Sequence, residues 1–268
     1  MSENRLLDFV RTNKCVEEAL MKETDSELLY HFSPIRRNIL DWFFFEKTDR
    51  ILELGAECGV ITALLCEWAD NVVAVEENSD YAEVNKYMNR DRNNLTVINA
   101  SSKAFLDGEY AVNADLYDYI TMIGSFDEDA LETVGGCLKP GGKLFVAMDN
   151  KYAIKYWSGA TDNDTDNAFD GLQGNLNEKR YSRNKLEEVL KKAGFSNNEF
   201  YYPIPDYRLP TEIYSEEYLP KQGVMKKNTP NYVGPRLLAF DEALVADSLS
   251  SDEMFEWFAN SFLVVSRK

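Results

Sequence analysis

One histidine, His31, serves the whole chain, and the four cysteines (Cys15, Cys58, Cys66, Cys137) include no pair at CxxC spacing. Zinc sites are assembled from thiolates and imidazoles at short spacings, so no metal site is expected. Basic residues are scarce as well: 29 Lys and Arg stand against 46 Asp and Glu, a formal net charge of -17. Non-specific binding to nucleic acid or to an anionic membrane depends on basic patches, so neither is an expected partner. No apolar run approaches the ~20 residues that a membrane-spanning helix needs. The greasiest stretch, ILDWFFFEKTDRILELG (39–55), is interrupted by charges, so membrane insertion is not expected. The opening MSENRLLDFVRTNK lacks the apolar centre of a secretory signal. With cysteines that read as reduced thiols, a cytoplasmic protein is expected.

What is present is core material: 44% of the 268 residues are hydrophobic and 13% aromatic. Residues 1–33 carry helical periodicity (Leu6, Leu7, Val10, then Val16, Ala19, Leu20) and form a predicted N-terminal helical arm. Ser33 followed by Pro34 reads as a cap and a first-turn proline, with Ile35, Ile39, Leu40 and Phe43 as one apolar face behind them. Strand-like runs and helices then alternate. Strands are predicted at 50–55, 71–77, 95–100, 117–124 and 142–150, with helices at 60–69, 79–91 and 127–138. A capped helix over YSRNKLEEVLKKAGF, with Ser182 at its start and Gly194 at its stop, precedes a sixth strand, and SFLVVSRK supplies a seventh. Short β-rich strands separated by helices imply right-handed crossovers and a largely parallel sheet covered on both faces. The domain is predicted to run over 34–268, with long acceptor-side loops or a lid at 150–180 and 203–250. Ligands of such sheets bind at the carboxyl ends of the strands.

The loop after the first strand reads Gly55-Ala56-Glu57-Cys58-Gly59-Val60. A dinucleotide loop requires GxGxxG, in which the glycines let the helix start approach a pyrophosphate. The second glycine is missing and the third displaced, so a nicotinamide-dependent oxidoreductase is a weak reading. The pattern E-x-G-x-G-x-G of class I S-adenosylmethionine (AdoMet) methyltransferases is matched at Glu53, Gly55 and Gly59 and broken at Glu57. Glu76, at the end of the second strand and beside Glu77, is placed to accept hydrogen bonds from ribose hydroxyls. Asn99, Ala100 and Ser101 end the third strand, where an adenine edge would lie; Ile123, Gly124 and Ser125 end the fourth and would line the adenine and methionine pockets.

LKPGGKLFV before the fifth strand and YSRNKLEEVLKKAGF before the sixth resemble the class I methyltransferase fold. YHFSPIRRNIL, DNKYAIKYWSGA, FDGLQG, YPIPDYRLPTEIYSEEYLP and NSFLVV are similar to a bacterial group of AdoMet-dependent methyltransferases associated with glycosyltransferases of surface-polysaccharide assembly. The likeness covers residues 28–268. It implies a seven-stranded Rossmann-like sheet, AdoMet as cofactor and a small-molecule or glycan acceptor. It also implies an arm folded over the cofactor, with Tyr30 and Ser33 near it and Arg36 available for its carboxylate.

Glu57 is the departure. An unpaired glutamate ~4 Å from the cofactor's carboxylate, at an effective dielectric of ~20, costs about 4 kcal/mol; turned towards the cofactor's ammonium it helps instead. The glycine's conformational freedom is lost in either case. Methyl transfer from a sulfonium is mostly alignment and exclusion of water, but an alcohol acceptor also needs a base. Asp149, ending the fifth strand, is the candidate base and Asn150 a positioning residue. His31 is the other base candidate, or else a packed helix residue. Tyr156, Trp157, Asp162, Asp170 and Tyr207 sit in the two long segments and suit sugar faces and hydroxyls, while Lys155 and Arg208 suit an anionic group. A methyltransferase fold without catalysis, acting as a binding or scaffold protein, stands as the alternative.

Overall fold

The computed structural model describes residues 4–108, 116–161, 167–174, 180–227, 236 and 238–268. Parts of the two long acceptor-side segments, with Asp162 among them, lie outside the described residues. The strands are β1 (Arg50–Leu54), β2 (Asn71–Glu76), β3 (Leu95–Asn99), β4 (Tyr117–Ile123), β5 (Leu138–Asp149), β6 (Asn197–Ile204), β7 (Glu212–Ser215) and β8 (Ser261–Arg267). They form one sheet in the order β3-β2-β1-β4-β5-β8-β6-β7. The pairs joining β3, β2, β1, β4 and β5 are parallel. β8 inserts antiparallel between β5 and β6, and β7 pairs antiparallel on the outer side of β6.

Among the described residues the sheet therefore has eight strands where seven were predicted. The extra one is Glu212–Ser215, inside a Tyr- and Pro-rich run expected to be irregular. Four residues are too few to show a period of their own, and this strand exists through its pairing with Tyr201–Ile204.

Continuous apolar runs reflect burial on both faces. Along β5, Leu144 and Val146 join one core cluster while Phe145 and Ala147 join the other. In β1, Leu52 and Leu54 face the first cluster and Ile51 the second. Helices α1 (Arg5–Thr12), α2 (Val16–Leu20) and α3 (Ser26–Phe32) make up the arm. Its Leu6, Leu7, Val10 and Phe32 pack with Cys58 of the glycine loop and Val84 of α6, which spans Ser79–Met88. This contact lays α3 over the loop. Pro34–Arg37 wind as a 3₁₀ turn before α4 (Asn38–Asp41). Three residues per turn shift the phase of the stripe. Ile39 and Leu40 are accordingly buried, but Ile35 is 41% exposed and not part of that face.

The remaining helices are α5 (Val60–Trp68), α7 (Ser102–Leu106), α8 (Leu131–Cys137), α9 (Ile154–Trp157), α10 (Asp170–Gln173), α11 (Arg183–Lys192), α12 (Glu242–Ser251) and α13 (Phe255–Phe258). Ser182 caps α11, its Oγ accepting from Lys185 N at 3.4 Å, and Gly194 follows at φ 93°. Among the described residues no helix is long and apolar enough to cross a membrane.

Candidate active site

A cleft of about 680 Å³ opens at the carboxyl ends of β1 to β4. The turn from β1 into α5 forms its floor. Gly55 N and Ala56 N both donate to Val75 O, at 2.9 and 3.0 Å, which ties the turn to β2. Gly55 has φ 74°, and a Cβ there would meet Ser125 Cβ at 2.2 Å. Gly59 has φ 91°, and a Cβ there would lie 2.5 Å from Asn85 Oδ1. Both matched glycines are thus required by backbone conformation and by close approach.

Glu57 adopts φ 45°, a left-handed conformation that costs a non-glycine residue about 1–2 kcal/mol. Three contacts hold it there. Its N–H donates to Glu76 Oε2 at 2.7 Å, its Oε1 accepts from Tyr30 OH at 2.8 Å, and its Oε2 lies 2.6 Å from Arg36 Nη2. Arg36 also donates to Tyr30 O at 3.2 Å and stacks on the Tyr30 ring at 4.2 Å. The carboxylate that Arg36 holds is therefore Glu57's own, which corrects the assignment of this buried guanidinium to the cofactor. Ser33 caps the 3₁₀ turn, accepting from Ile35 N at 3.3 Å, and is not among the residues lining the cleft. His31 is buried between Tyr30 and Tyr81, with ring centroids at 4.9 and 4.7 Å. Burial pushes its imidazole down to about 4, so it is neutral near pH 7 and packs within the arm rather than lining the cleft.

Glu53 also lies beneath the cleft rather than in it. It is buried, accepts from Thr62 Oγ1 at 2.6 Å, and is pushed by burial up to about 8. Asn85 Nδ2 donates to Thr62 Oγ1 at 2.9 Å, and Asn89 Nδ2 donates to Asn85 Oδ1 at 3.0 Å and to Gly59 O at 3.1 Å. This buried network braces the loop from below. Sequence reasoning missed it, although two asparagines four apart on the buried side of α6 were its visible sign.

Glu76 lines the cleft with both carboxylate oxygens engaged by backbone, Oε2 by Glu57 N and Oε1 by Asn78 N at 2.8 Å. A carboxylate accepts about four hydrogen bonds, so capacity remains for two ribose hydroxyls. Burial raises its pKa above the ordinary glutamate value. Glu77 and Ser101 line the cleft too. Asn99 departs from expectation: its Nδ2 donates to Glu76 O at 2.8 Å and Glu77 O at 3.0 Å, so its amide is bound to the end of β2 and is not a lining group. Ala100 packs against the core, and Ser102 and Lys103, which sequence reasoning missed, take the lining positions at this strand end. Beyond β4, Gly124 and Ser125 line the cleft whereas Ile123 is buried in the core. Asp127, Glu128, Asp129 and Tyr181 complete the wall and were also missed; Tyr181 OH donates to Glu128 Oε2 at 2.6 Å. Among the described residues the lining thus holds six carboxylates (Glu57, Glu76, Glu77, Asp127, Glu128, Asp129) and one cation, Lys103.

On the acceptor side, Asp149 ends β5 inside a buried ionic cluster. Arg208 grips it with two contacts, Nη1 to Oδ1 at 3.0 Å and Nη2 to Oδ2 at 2.9 Å. Lys155 Nζ donates to Oδ1 at 2.7 Å and Tyr156 OH to Oδ2 at 3.1 Å. Burial alone would raise the carboxyl, but Arg208 and Lys155 outweigh it and hold Asp149 well below the usual carboxylate range. A carboxylate so strongly favoured in its charged form is a poor proton acceptor, which argues against Asp149 as a base. Asn150 is fully buried, its Nδ2 donating to Trp257 O at 2.8 Å and Ala259 O at 2.9 Å, so it fastens β5 to α13 rather than facing an acceptor. Lys155 lies between Asp149 and Asp206 (3.6 Å), leaving both expected anion-binding cations already paired within the chain. Tyr207 is buried with its hydroxyl packed against Gly124. Trp157 is 46% exposed, and Asp170 accepts from Asn167 at 3.1 Å; neither joins this cluster.

A mixed sheet with a parallel β3-β2-β1-β4-β5 half, an inserted antiparallel β8 and an antiparallel edge strand β7, carrying a glycine turn and an acidic strand end at its switch point, defines a Rossmann-like α/β protein of the class I methyltransferase fold. The family model described as a methyltransferase domain matches residues 28–199, and the chain belongs to that family. A chain of the complex between the Haloferax volcanii Trm112 methyltransferase activator and the putative methyltransferase is similar over 94% of this chain and 96% of its own, with 14% identity and a TM-score of 0.54. A SAM-dependent methyltransferase from Archaeoglobus fulgidus is similar over 91% of this chain and 95% of its own, with 12% identity and a TM-score of 0.50. No curated protein sequence matches the chain.

Proposed function

We propose that the chain is an AdoMet-dependent methyltransferase that binds its cofactor in the cleft at the ends of β1 to β4 and transfers the methyl group to an oxygen of a small-molecule or glycan acceptor. The transfer leaves S-adenosylhomocysteine and releases the hydroxyl proton to water, since neither Asp149 nor His31 is placed to take it. The observation that carries this reading is the acidic lining, six carboxylates against one lysine among the described residues around the glycine turn. Such a lining favours an adenosyl ligand with a sulfonium and an ammonium, and repels the pyrophosphate of a dinucleotide. The bound cofactor supplies a methyl group on a leaving sulfonium. Glu76 takes the ribose hydroxyls, with Glu57 N–H and Asn78 N–H holding its oxygens in place. Phe126 and Tyr181, edge-to-face at 5.3 Å, form an aromatic wall for the ligand. Glu57 meets the amino-acid end as part of an ion pair with Arg36, which removes most of the repulsion that a bare carboxylate would exert. Asp149 acts as a positioning residue that fixes Arg208 and Lys155 on the acceptor side.

Calorimetric titration with AdoMet and S-adenosylhomocysteine, alongside NADH fluorescence, tests the reading. Micromolar AdoMet binding with silent NADH sustains it. A second reading, a methyltransferase fold kept as a scaffold, draws on the self-paired Arg36 and Asp149; absence of binding to any of the three ligands would make it the better account.

A further inference from the structure

A second cleft, of about 710 Å³, lies between α4 and the β6–β7 edge of the sheet. Its walls carry two aromatic surfaces. Trp42, 44% exposed, has its ring 4.8 Å from that of Tyr201. Tyr218, 68% exposed, stacks parallel to Tyr214 at 6.4 Å. Both are held in orientation: Trp42 Nε1 donates to Ile39 O at 3.0 Å, and β7 fixes Tyr214 against β6. The polar lining includes Asn38, Asp41 and Glu212 with the hydroxyls of Thr211 and Ser215, and no lysine or arginine is among the described lining residues. Tyr214 OH donates to Glu212 Oε2 at 2.8 Å, which sets that carboxylate's direction.

We infer that this cleft is a carbohydrate subsite that takes a neutral pyranose unit of the acceptor. A pyranose offers one flat face of C–H bonds with partial positive charge, which meets the negative face of an aromatic ring. Its equatorial hydroxyls donate to carboxylates and exchange hydrogen bonds with hydroxyl side chains. With two carboxylates and no lysine or arginine among its described lining residues, the cleft repels phosphates and uronates, which makes the ligand uncharged. Tight recognition of a quaternary ammonium uses rings enclosing one point, whereas these rings are packed in pairs, Trp42 on Tyr201 and Tyr218 on Tyr214, as two open platforms.

The place of the cleft fits an acceptor subsite. Asn38, on its rim, is two residues from Arg36, and its Nδ2 holds Pro210 O at 2.8 Å. Thr211, also on the rim, is three residues from Arg208, so their Cα atoms are within about 11 Å. A glycan held on Trp42 therefore lies one loop away from the acceptor side of the cofactor cleft. The inference rests on the glycan-methyltransferase reading for its purpose, though the binding chemistry stands without it.

The test uses the full chain labelled with 5-fluorotryptophan, the Trp42 signal being assigned with Trp42→Phe. Glucose, galactose, mannose, N-acetylglucosamine and their β-linked disaccharides are titrated up to about 50 mM, with tetramethylammonium and glucuronate as controls. A saturable shift of the Trp42 signal with at least one neutral sugar is expected, weakened about tenfold or more in Tyr218→Ala and in Glu212→Gln. Tyr218 is too exposed for its loss to unfold the chain, so the result does not depend on Trp42 variants. Silence with every neutral sugar, or a response to tetramethylammonium alone, overturns the inference. AdoMet calorimetry on the same samples separates the two readings: AdoMet binding without sugar binding sinks only the subsite, and sugar binding without AdoMet binding sinks only the methyltransferase.

Discussion

Glu57 Oε2 lies 2.6 Å from Arg36 Nη2, an ion pair between a half-buried carboxylate and a buried guanidinium that joins the cofactor turn to the N-terminal arm. The residue that breaks the glycine pattern is thus held by an arginine that the pattern alone would assign to a ligand. Removing the carboxylate leaves the buried guanidinium uncompensated, at a cost below the ~3–5 kcal/mol of a fully buried pair because Glu57 is itself partly solvated. Glu57→Gly relieves about 1 kcal/mol of backbone strain and still lowers stability, because Arg36 is left alone. Glu57→Gln, whose single amide oxygen can accept from Arg36 while its Nε2 donates to a turned Tyr30 hydroxyl, is expected to lose less. Denaturant melts of the two variants check the order. On the same proteins, AdoMet affinity is expected to fall several-fold in Glu57→Gly; a tenfold gain would identify the side chain as an obstruction and favour the scaffold reading.

Two buried groups, His31 and Glu53, act on the pH dependence of stability with opposite signs. His31 titrates at about 4 folded against 6.5 as a free side chain, so between these values the unfolded chain binds more protons. Its contribution is present above pH 6.5 and is lost as pH falls towards 4. Glu53 titrates at about 8 folded against 4.5 free, so here the folded chain binds more protons. Its contribution is present below pH 4.5 and is lost as pH rises towards 8. Between about 4.5 and 6.5 the two slopes oppose each other, and from 6.5 to 8 Glu53 alone acts. Thermal melts across this range are expected to show Glu53→Gln flattening the decline above pH 6.5. An unchanged decline would mean that Glu53 is not the group responsible.

Gly55 tests the close approach of β1 to β4. A Cβ there falls 2.2 Å from Ser125 Cβ at a φ of 74°, so the backbone of the turn must move. Gly55→Ala is expected to abolish detectable AdoMet binding and to destabilise by about 1–3 kcal/mol. Glu76→Gln is the milder probe, since an amide accepts through one oxygen only. About a tenfold to hundredfold loss of AdoMet affinity is expected, with Glu57 N–H losing its partner when the amide nitrogen faces it. Calorimetry on both variants, checked by circular dichroism for folding, separates lost contacts from lost fold.

The parallel core was legible because its strands are continuous apolar runs, and α11 because Ser182 and Gly194 mark its ends. The glycine turn and Glu76 were legible for the same local reason, spacing along a few residues. What escaped was tertiary. Arg36 meets Glu57 across 21 positions and Arg208 meets Asp149 across 59, and no local pattern records either pairing. β7 is stabilised by its neighbour rather than by its own four residues. Thr62, Asn85 and Asn89 read as ordinary helix residues until packing brings them together under the loop. The reading of Asp149 as a base came from its place at a strand end, which says nothing of the two cations that other segments deliver to it.

Asp149 therefore has a clear expected phenotype. With Arg208 and Lys155 buried against it, Asp149→Asn leaves two cations around a neutral group and is expected to cost about 3–5 kcal/mol of stability. Replacing Lys155 by methionine in the same chain removes one excess charge and is expected to restore part of that loss, which a double-mutant cycle measures directly. The kinetic signature differs from that of a base. A base has its pKa in the limb of the rate profile, and removing it flattens that limb; Asp149 stays ionised throughout the neutral range because its carboxyl is held well below the usual value. Once an acceptor is in hand, Asp149→Asn at a temperature where it remains folded is expected to raise the acceptor KM and leave the shape of the pH–rate profile unchanged. Disappearance of the acid limb in the variant would return Asp149 to the role of base and remove the positioning role assigned to it here.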